Sequence, residues 1–191
     1  TRGSLKKQIL FFSIPLMLSN LLQVLFNMSD IAVIGQFAGA MSLGAVGSTT
    51  TLISMYTGFL IGLSGGINVL TALYIGARNR KSVSETIHSA FLVSLAVGLI
   101  LLVLGVSTSR GVLVLLNTKE ELIDKAALYI RIYFLGIPAL ALYNFGNAVF
   151  SAAGDTGRPL RYLFLSGIVN VILNLFFVIV CKLDIVGKAL E

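Results

Sequence analysis

No charged residue occurs between Ile31 and Ala77, a run of 47 residues. In a soluble domain about a quarter of the residues are charged, but in this chain of 191 residues only 12% are charged and 57% are hydrophobic. A helix needs about 20 mostly apolar residues to cross the hydrocarbon core of a bilayer. The run is too long for one crossing and suits two crossings joined by a short turn, which we place in the small-residue stretch from Ala38 to Gly47.

The apolar runs predict helices rather than strands. Backbone groups in lipid must find hydrogen-bond partners within the protein, so only helices and closed barrels cross a membrane, and these runs lack the alternating pattern of barrel strands. We therefore predict an all-α integral membrane protein, a bundle of about five transmembrane helices in one membrane domain over residues 1–191. The predicted helices cover residues 8–37, 50–77, 87–109, 120–154 and 160–181, with the start of a sixth near residues 185–191.

Basic residues are concentrated in alternate connections, on what would be one side of the membrane. They are Arg2, Lys6, Lys7, Arg78, Arg80, Lys81, Arg158 and Arg161. Short loops rich in Lys and Arg lie on the cytoplasmic side, which predicts a multi-pass protein of the cell membrane with a cytoplasmic N-terminus. The net charge of +6 then reflects topology and contact with membrane lipid, and we expect no nucleic-acid partner.

One carboxylate lies within a predicted crossing. The polar residues Asn20, Gln23, Asn27 and Asp30 follow one another at spacings of three, four and three, which places them on one face of the first helix. An acid at membrane depth costs a few kcal/mol, so it usually faces the bundle interior, a partner or a water-filled cavity. Asp30 is therefore a candidate for binding a proton or cation; the alternative is an interior acid that is simply hydrogen-bonded to its neighbours.

Three further helices carry polar residues at helical spacing. They are Ser64, Asn68 and Thr71 in the second, Asn144, Asn147 and Ser151 in the fourth, and Asn170 and Asn174 in the fifth. Taken singly, each asparagine is typical of the hydrogen bonds that join packed membrane helices. Taken together, the four stripes predict a polar cavity.

The residue inventory does not support an enzyme. His88 is the only histidine and Cys181 the only cysteine, which excludes histidine clusters, thiolate metal sites and a Ser-His-Asp arrangement. The Gly154-Asp155-Thr156-Gly157 segment lacks the Gly-Lys-Ser/Thr ending of a phosphate-binding loop. We predict neither catalysis nor a cofactor.

Four segments carry a resemblance to a known family. They are IPLMLSNLLQVLFNMSDIAVIGQFAG in the first helix, ALYIGARN after the second, IPALALYNFGNAVFSAAGDTGRP through the fourth and NVILN in the fifth. In this order they resemble the N-terminal lobe of a multidrug and toxic compound extrusion (MATE) transporter. The resemblance implies a twelve-helix protein of two six-helix lobes, of which this chain supplies most of the first and needs the C-terminal lobe as its partner. Such a protein expels cationic or amphipathic small molecules in exchange for H⁺ or Na⁺ by alternating access.

The resemblance also implies roles for single residues. Asp30 matches the helix-one acid of cation coupling, and would be a metal ligand if the coupling ion is Na⁺; Phe26 falls where some members have Tyr. Asn174 stands where some members have an acid, which leaves Asp30 as the only carboxylate of the predicted pocket, and Ser151 stands where many have Arg. The cation-coupling residues are then Asp30, Asn147, Asn170 and Asn174, and the cavity-lining residues are Asn20, Gln23, Phe26, Asn27, Asn68, Asn144 and Ser151.

Two other functions compete with efflux. A flippase of lipids or lipid-linked oligosaccharides, within the same superfamily, would be expected to have a more cationic cavity, whereas the helix interiors contain no Lys or Arg apart from Arg131. A non-transporting membrane scaffold would use its glycines and asparagines only to hold the helices together, and predicts no conformational response to pH or Na⁺.

Overall fold

The chain folds into five helices, as a computed structural model that describes residues 5–33, 36 and 39–176 shows. They are α1 Leu5–Val33, α2 Gly39–Gly76, α3 Arg80–Leu115, α4 Glu120–Ala152 and α5 Gly157–Leu175. No strand occurs in the described ranges, and α1 to α4 are each long and apolar enough to cross a membrane. The predicted all-α membrane bundle is confirmed.

The described part of α5 covers only part of the predicted fifth crossing. Its described part has 19 residues, carries Arg158 and Arg161 in its first turns, and is not among the four helices with membrane-spanning hydropathy. The predicted crossing over 160–181 continues beyond residue 176, and the sixth helix near 185–191 lies wholly beyond it. Those parts of the prediction fall outside the described residues.

Helices α2 and α3 begin well before their predicted first residues, 50 and 87. Helix α2 begins at Gly39, so the small-residue stretch is helix rather than a turn from that point on. Ala45 is fully buried, and a Cβ at Gly44 would lie 3.3 Å from Leu122 Cδ1; small residues here allow α2 to approach the start of α4, and packing outweighs weak helix propensity. Helix α3 begins at Arg80 because the Asn79 side chain caps it, accepting a hydrogen bond from the Ser82 N–H at 3.1 Å.

Three helix ends contain a residue in the left-handed backbone region. They are Arg78 (φ 56°), Asn117 (φ 54°) and Gly154 (φ 82°). At the end of α2 the Asn79 N–H donates to the Tyr74 carbonyl at 3.1 Å and the Arg78 N–H donates to the Ile75 carbonyl at 3.0 Å. This is the Schellman pattern, in which the left-handed position normally carries Gly or Asn. Arg78 departs from that preference.

The core of the bundle lies where α4 packs against α2 and α3. Phe134 is fully buried there, and its ring meets Tyr56 edge-on at a centroid distance of 4.8 Å. Gly105 of α3 lies directly against this ring, and a Cβ at that position would overlap it. A Cβ at Gly98 would lie 2.8 Å from the Cα of Pro138. Glycines therefore set the close approach of α3 and α4.

Helices α1 and α5 form a separate pair that few contacts join to the other three helices. None of the described side chains of α1 is buried. The hydroxyl of Thr156, the residue immediately before α5, donates to the Phe12 carbonyl of α1 at 3.3 Å. Phe12 precedes Pro15 by three residues, in the turn where a proline removes a helical hydrogen bond and displaces carbonyl groups. Thr156 therefore supplies a donor at the weakened turn of α1.

Removing this donor is expected to loosen α1. Thr156 is buried (4% exposed), and Thr156→Val keeps its shape without the hydroxyl, so we expect a loss of about 1 kcal/mol in the free energy of unfolding. Thr50→Val is the matched control, since the exposed Thr50 hydroxyl bonds only to Val46 in its own helix. Thermal unfolding in detergent compares the two. Equal melting temperatures for both variants would contradict the role given to Thr156.

Candidate functional site

A cavity of about 440 Å³ lies between the α1–α5 pair and the facing surfaces of α2 and α4. Its lining residues are Gln23, Phe26, Thr57, Ile61, Leu140, Tyr143, Asn144, Leu163, Ser166, Gly167 and Asn170. None of these described residues is charged. The cavity is therefore lined by amide, hydroxyl, aromatic and aliphatic groups contributed by four helices.

Four of the predicted site residues meet in this cavity. Gln23 and Phe26 come from α1, Asn144 from α4 and Asn170 from α5. The Phe26 ring lies against Gly167, where a Cβ would overlap it. One predicted polar residue from each of three helices, α1, α4 and α5, therefore lines the same cavity.

Four other predicted residues lie outside the lining. Asn20 is exposed on α1, and Asn147 and Ser151 are half-buried on α4 beyond Asn144. Asn68 is engaged elsewhere, since its Nδ2 donates to the Ala148 carbonyl at 2.9 Å. That bond joins α2 to α4, the helix-joining role that the sequence left open for each asparagine.

Three predicted residues have side chains outside the described part of the structure. They are Asn27, Asp30 and Asn174. The backbone of Asp30 belongs to α1, seven residues after Gln23, and that of Asn174 belongs to α5, four residues after Asn170. Their roles, like those of the other site residues, stay predictions.

Asn170 differs from the other residues of the cavity lining in the hydrogen bonding of its side chain. Its Oδ1 is buried and accepts no hydrogen bond from the described residues. A buried acceptor without a donor costs about 1–3 kcal/mol, and most such groups in proteins are paired. An unpaired amide oxygen at a cavity wall can accept a hydrogen bond from a cationic ligand or coordinate a hard cation, since such cations prefer oxygen ligands.

Three polar lining residues were not predicted, although the sequence carried a signal for two of them. Thr57 precedes Ser64 by seven residues, so it continues the polar stripe of α2 by two turns; its hydroxyl lies 3.5 Å from Tyr133 Oη. Ser166 precedes Asn170 by four residues on the same face of α5. Tyr143 is adjacent to Asn144 and carried no such signal.

Three helices long and apolar enough to cross a membrane, α1, α2 and α4, contribute to this uncharged cavity, an arrangement that fits a membrane protein with a polar interior. The family model MatE matches residues 15–176. Probable multidrug resistance protein YpnP of Bacillus subtilis is 32% identical over 189 residues, which cover 99% of this chain and 42% of the relative. Probable multidrug resistance protein NorM of Thermotoga maritima is 26% identical over 170 residues, which cover 89% of this chain and 36% of the relative.

A solved structure agrees with these relatives. A multidrug resistance MATE family transporter of the MOP superfamily, in an outward-facing conformation, aligns with a TM-score of 0.92 and 26% identity over 98% of this chain. The chain belongs to the MatE family, and the resemblance to MATE transporters is confirmed. It spans only 42% of that structure and of YpnP.

Proposed function

We propose that the whole protein is a secondary-active efflux antiporter of the cell membrane. It exports cationic or amphipathic small molecules in exchange for H⁺ or Na⁺, and this chain forms most of its N-terminal lobe with a cytoplasmic N-terminus. A C-terminal lobe is the partner, since the chain spans 42% of its relative YpnP. The observation that carries the proposal is that Asn170 lines the cavity between α1, α2, α4 and α5 and has a buried Oδ1 with no hydrogen-bond partner among the described residues.

The coupling step is assigned to α1. Asp30 follows Gln23 by seven residues, a spacing that puts the two positions on the same face of a helix, and Gln23 lines the cavity. Binding of H⁺ or Na⁺ neutralises the carboxylate and lowers the cost of keeping it in a low-dielectric site. Because few contacts join the α1–α5 pair to the other helices, this change in charge can shift the pair between two positions, which alternating access requires.

The lining suits a cation that also has apolar surface. Phe26 and Tyr143 offer aromatic rings, which attract cations through their faces, and the amide oxygens of Gln23, Asn144 and Asn170 accept hydrogen bonds. The described lining contains no Lys or Arg to hold a phosphate. This favours a cationic substrate over the phosphate-bearing lipid of a flippase.

The test is efflux of ethidium from vesicles containing the full-length protein, under an imposed H⁺ or Na⁺ gradient. Asp30→Asn is expected to lower gradient-driven efflux about tenfold or more, with the same amount of folded protein in the membrane. Asp124→Asn is the matched control, because this acid is 82% exposed in an ion pair with Arg110 at 3.1 Å and surface pairs contribute little.

Three outcomes would contradict the proposal. Unchanged efflux in Asp30→Asn would place coupling elsewhere in the protein. Wild-type protein that moves a fluorescent phospholipid between leaflets and no ethidium would be a flippase. Wild-type protein that moves neither and shows no conformational response to pH or Na⁺ would be a scaffold.

A further inference from the structure

A second, larger cavity lies where α2 ends and α3 begins, separate from the cavity between α1, α2, α4 and α5. Its volume is about 710 Å³, and its lining residues are Tyr74, Ile75, Arg78, Arg80, Val83, Ser84, Ile87 and His88. We call it the α2–α3 groove. It shares no lining residue with the cavity between α1, α2, α4 and α5. Since α2 ends and α3 begins there, and both are long enough to cross a membrane, the groove lies at the membrane–water interface.

The groove is cationic. Neither Arg78 nor Arg80 forms an ion pair with a described residue, and no acid is among the lining residues. The nearby Glu85 lies outside the groove and is 3.9 Å from Lys81. The Nδ1 of His88, which also lines the groove, donates to the Ser84 carbonyl at 2.8 Å. Two guanidinium groups thus lie at one site without a counter-charge from any residue that the structure describes.

The backbone conformation of Arg78 indicates that its side chain has a function. Arg78 has a φ of 56°, a conformation that costs an L-residue with a Cβ roughly 1–2 kcal/mol, while glycine adopts it readily. The other two helix ends of this type carry Asn117 and Gly154. Backbone strain of this kind persists at functional sites. Ending the helix does not require an arginine at this position, since glycine or asparagine would do so with less strain.

The rest of the groove is apolar. Ile75, Val83 and Ile87 supply aliphatic walls and Tyr74 an aromatic one, and Tyr side chains favour the level of lipid headgroups. Basic pockets between membrane helices bind anionic lipid headgroups, and arginine binds phosphate with paired hydrogen bonds. We propose that the α2–α3 groove binds an anionic phospholipid, with Arg78 and Arg80 on its phosphate and one acyl chain along Ile75, Val83 and Ile87.

The test is native mass spectrometry of the full-length protein in detergent, titrated with phosphatidylglycerol or phosphatidylcholine. We expect phosphatidylglycerol to bind more tightly than phosphatidylcholine. Arg78→Gly and Arg80→Gln should each lower the affinity for phosphatidylglycerol about fivefold, and the double variant about thirtyfold. This is the effect of about 1 kcal/mol for each cation near an anionic lipid. Arg161→Gln is the matched control: it removes a charge from the same predicted side, outside the groove, and is expected to change this affinity less than about twofold.

Arg78→Gly also separates binding from folding. Because glycine suits the left-handed position, the melting temperature of lipid-free protein should stay the same or rise while lipid affinity falls. A fall in melting temperature with unchanged affinity would make Arg78 structural only and overturn the proposal. Equal affinity for the two lipids would overturn it as well, and glycerol phosphate that displaces phosphatidylglycerol at equal concentration would identify a site for free anions.

Discussion

Replacing Asn170 with leucine is expected to stabilise the bundle and at the same time to abolish most transport. The Oδ1 of Asn170 is buried without a donor among the described residues, and removing an unsatisfied buried acceptor is expected to recover about 1 kcal/mol of its cost. Leucine has the same number of side-chain heavy atoms with the same branching, so it can take the place of the amide in α5. If the same oxygen binds the transported cation or the coupling ion, efflux of ethidium should fall about tenfold or more.

Asn68→Leu is the matched control for this experiment. It makes the same substitution at an asparagine whose Nδ2 donates to the Ala148 carbonyl at 2.9 Å. Loss of a bond between membrane helices costs about 0.6 kcal/mol on average and up to about 1.7, so the melting temperature should fall while efflux per folded molecule is kept. If Asn170→Leu also lowers the melting temperature and leaves efflux intact, Asn170 is a packing residue and not part of the site.

Placing one methyl group on Gly105 is expected to destabilise the whole bundle. The added Cβ would overlap the ring of Phe134, which is fully buried between α2, α3 and α4. Overpacking of a core costs about 1–3 kcal/mol, so Gly105→Ala should lower the melting temperature and the yield of folded protein. Thermal unfolding in detergent measures the melting temperature, and size-exclusion chromatography measures the yield of folded protein.

Gly111→Ala controls for helix propensity on the same helix. A Cβ there meets nothing within 4 Å, and alanine is favoured over glycine in a helix by about 1 kcal/mol, so this variant should be at least as stable as wild type. Adding Phe134→Leu to Gly105→Ala should restore part of the loss, because residues in contact show coupling of about 0.5–3 kcal/mol. Additive effects of the two substitutions would contradict the contact.

Much of the fold follows from composition and spacing. In lipid every N–H and C=O must be paired internally, which leaves helices and closed barrels. The 47-residue run without charge lacks the alternating pattern of barrel strands, so helices remain. Helical periodicity also put Gln23, Asn144 and Asn170 on inward faces, and all three line the cavity. These features could be predicted because they depend on one helix at a time.

Other features depend on which neighbour a face meets, and periodicity carries no information about that. Asn68 and Asn170 have the same side chain on similar stripes. Asn68 joins α2 to α4, whereas the Oδ1 of Asn170 has no partner among the residues that the structure describes. The start of α2 at Gly39, predicted as a turn, depends on the packing of Gly44 and Ala45 near Leu122. Sequence spacing fixes the face of a helix; close packing between helices, where a single Cβ can prevent contact, fixes its partner and therefore the site.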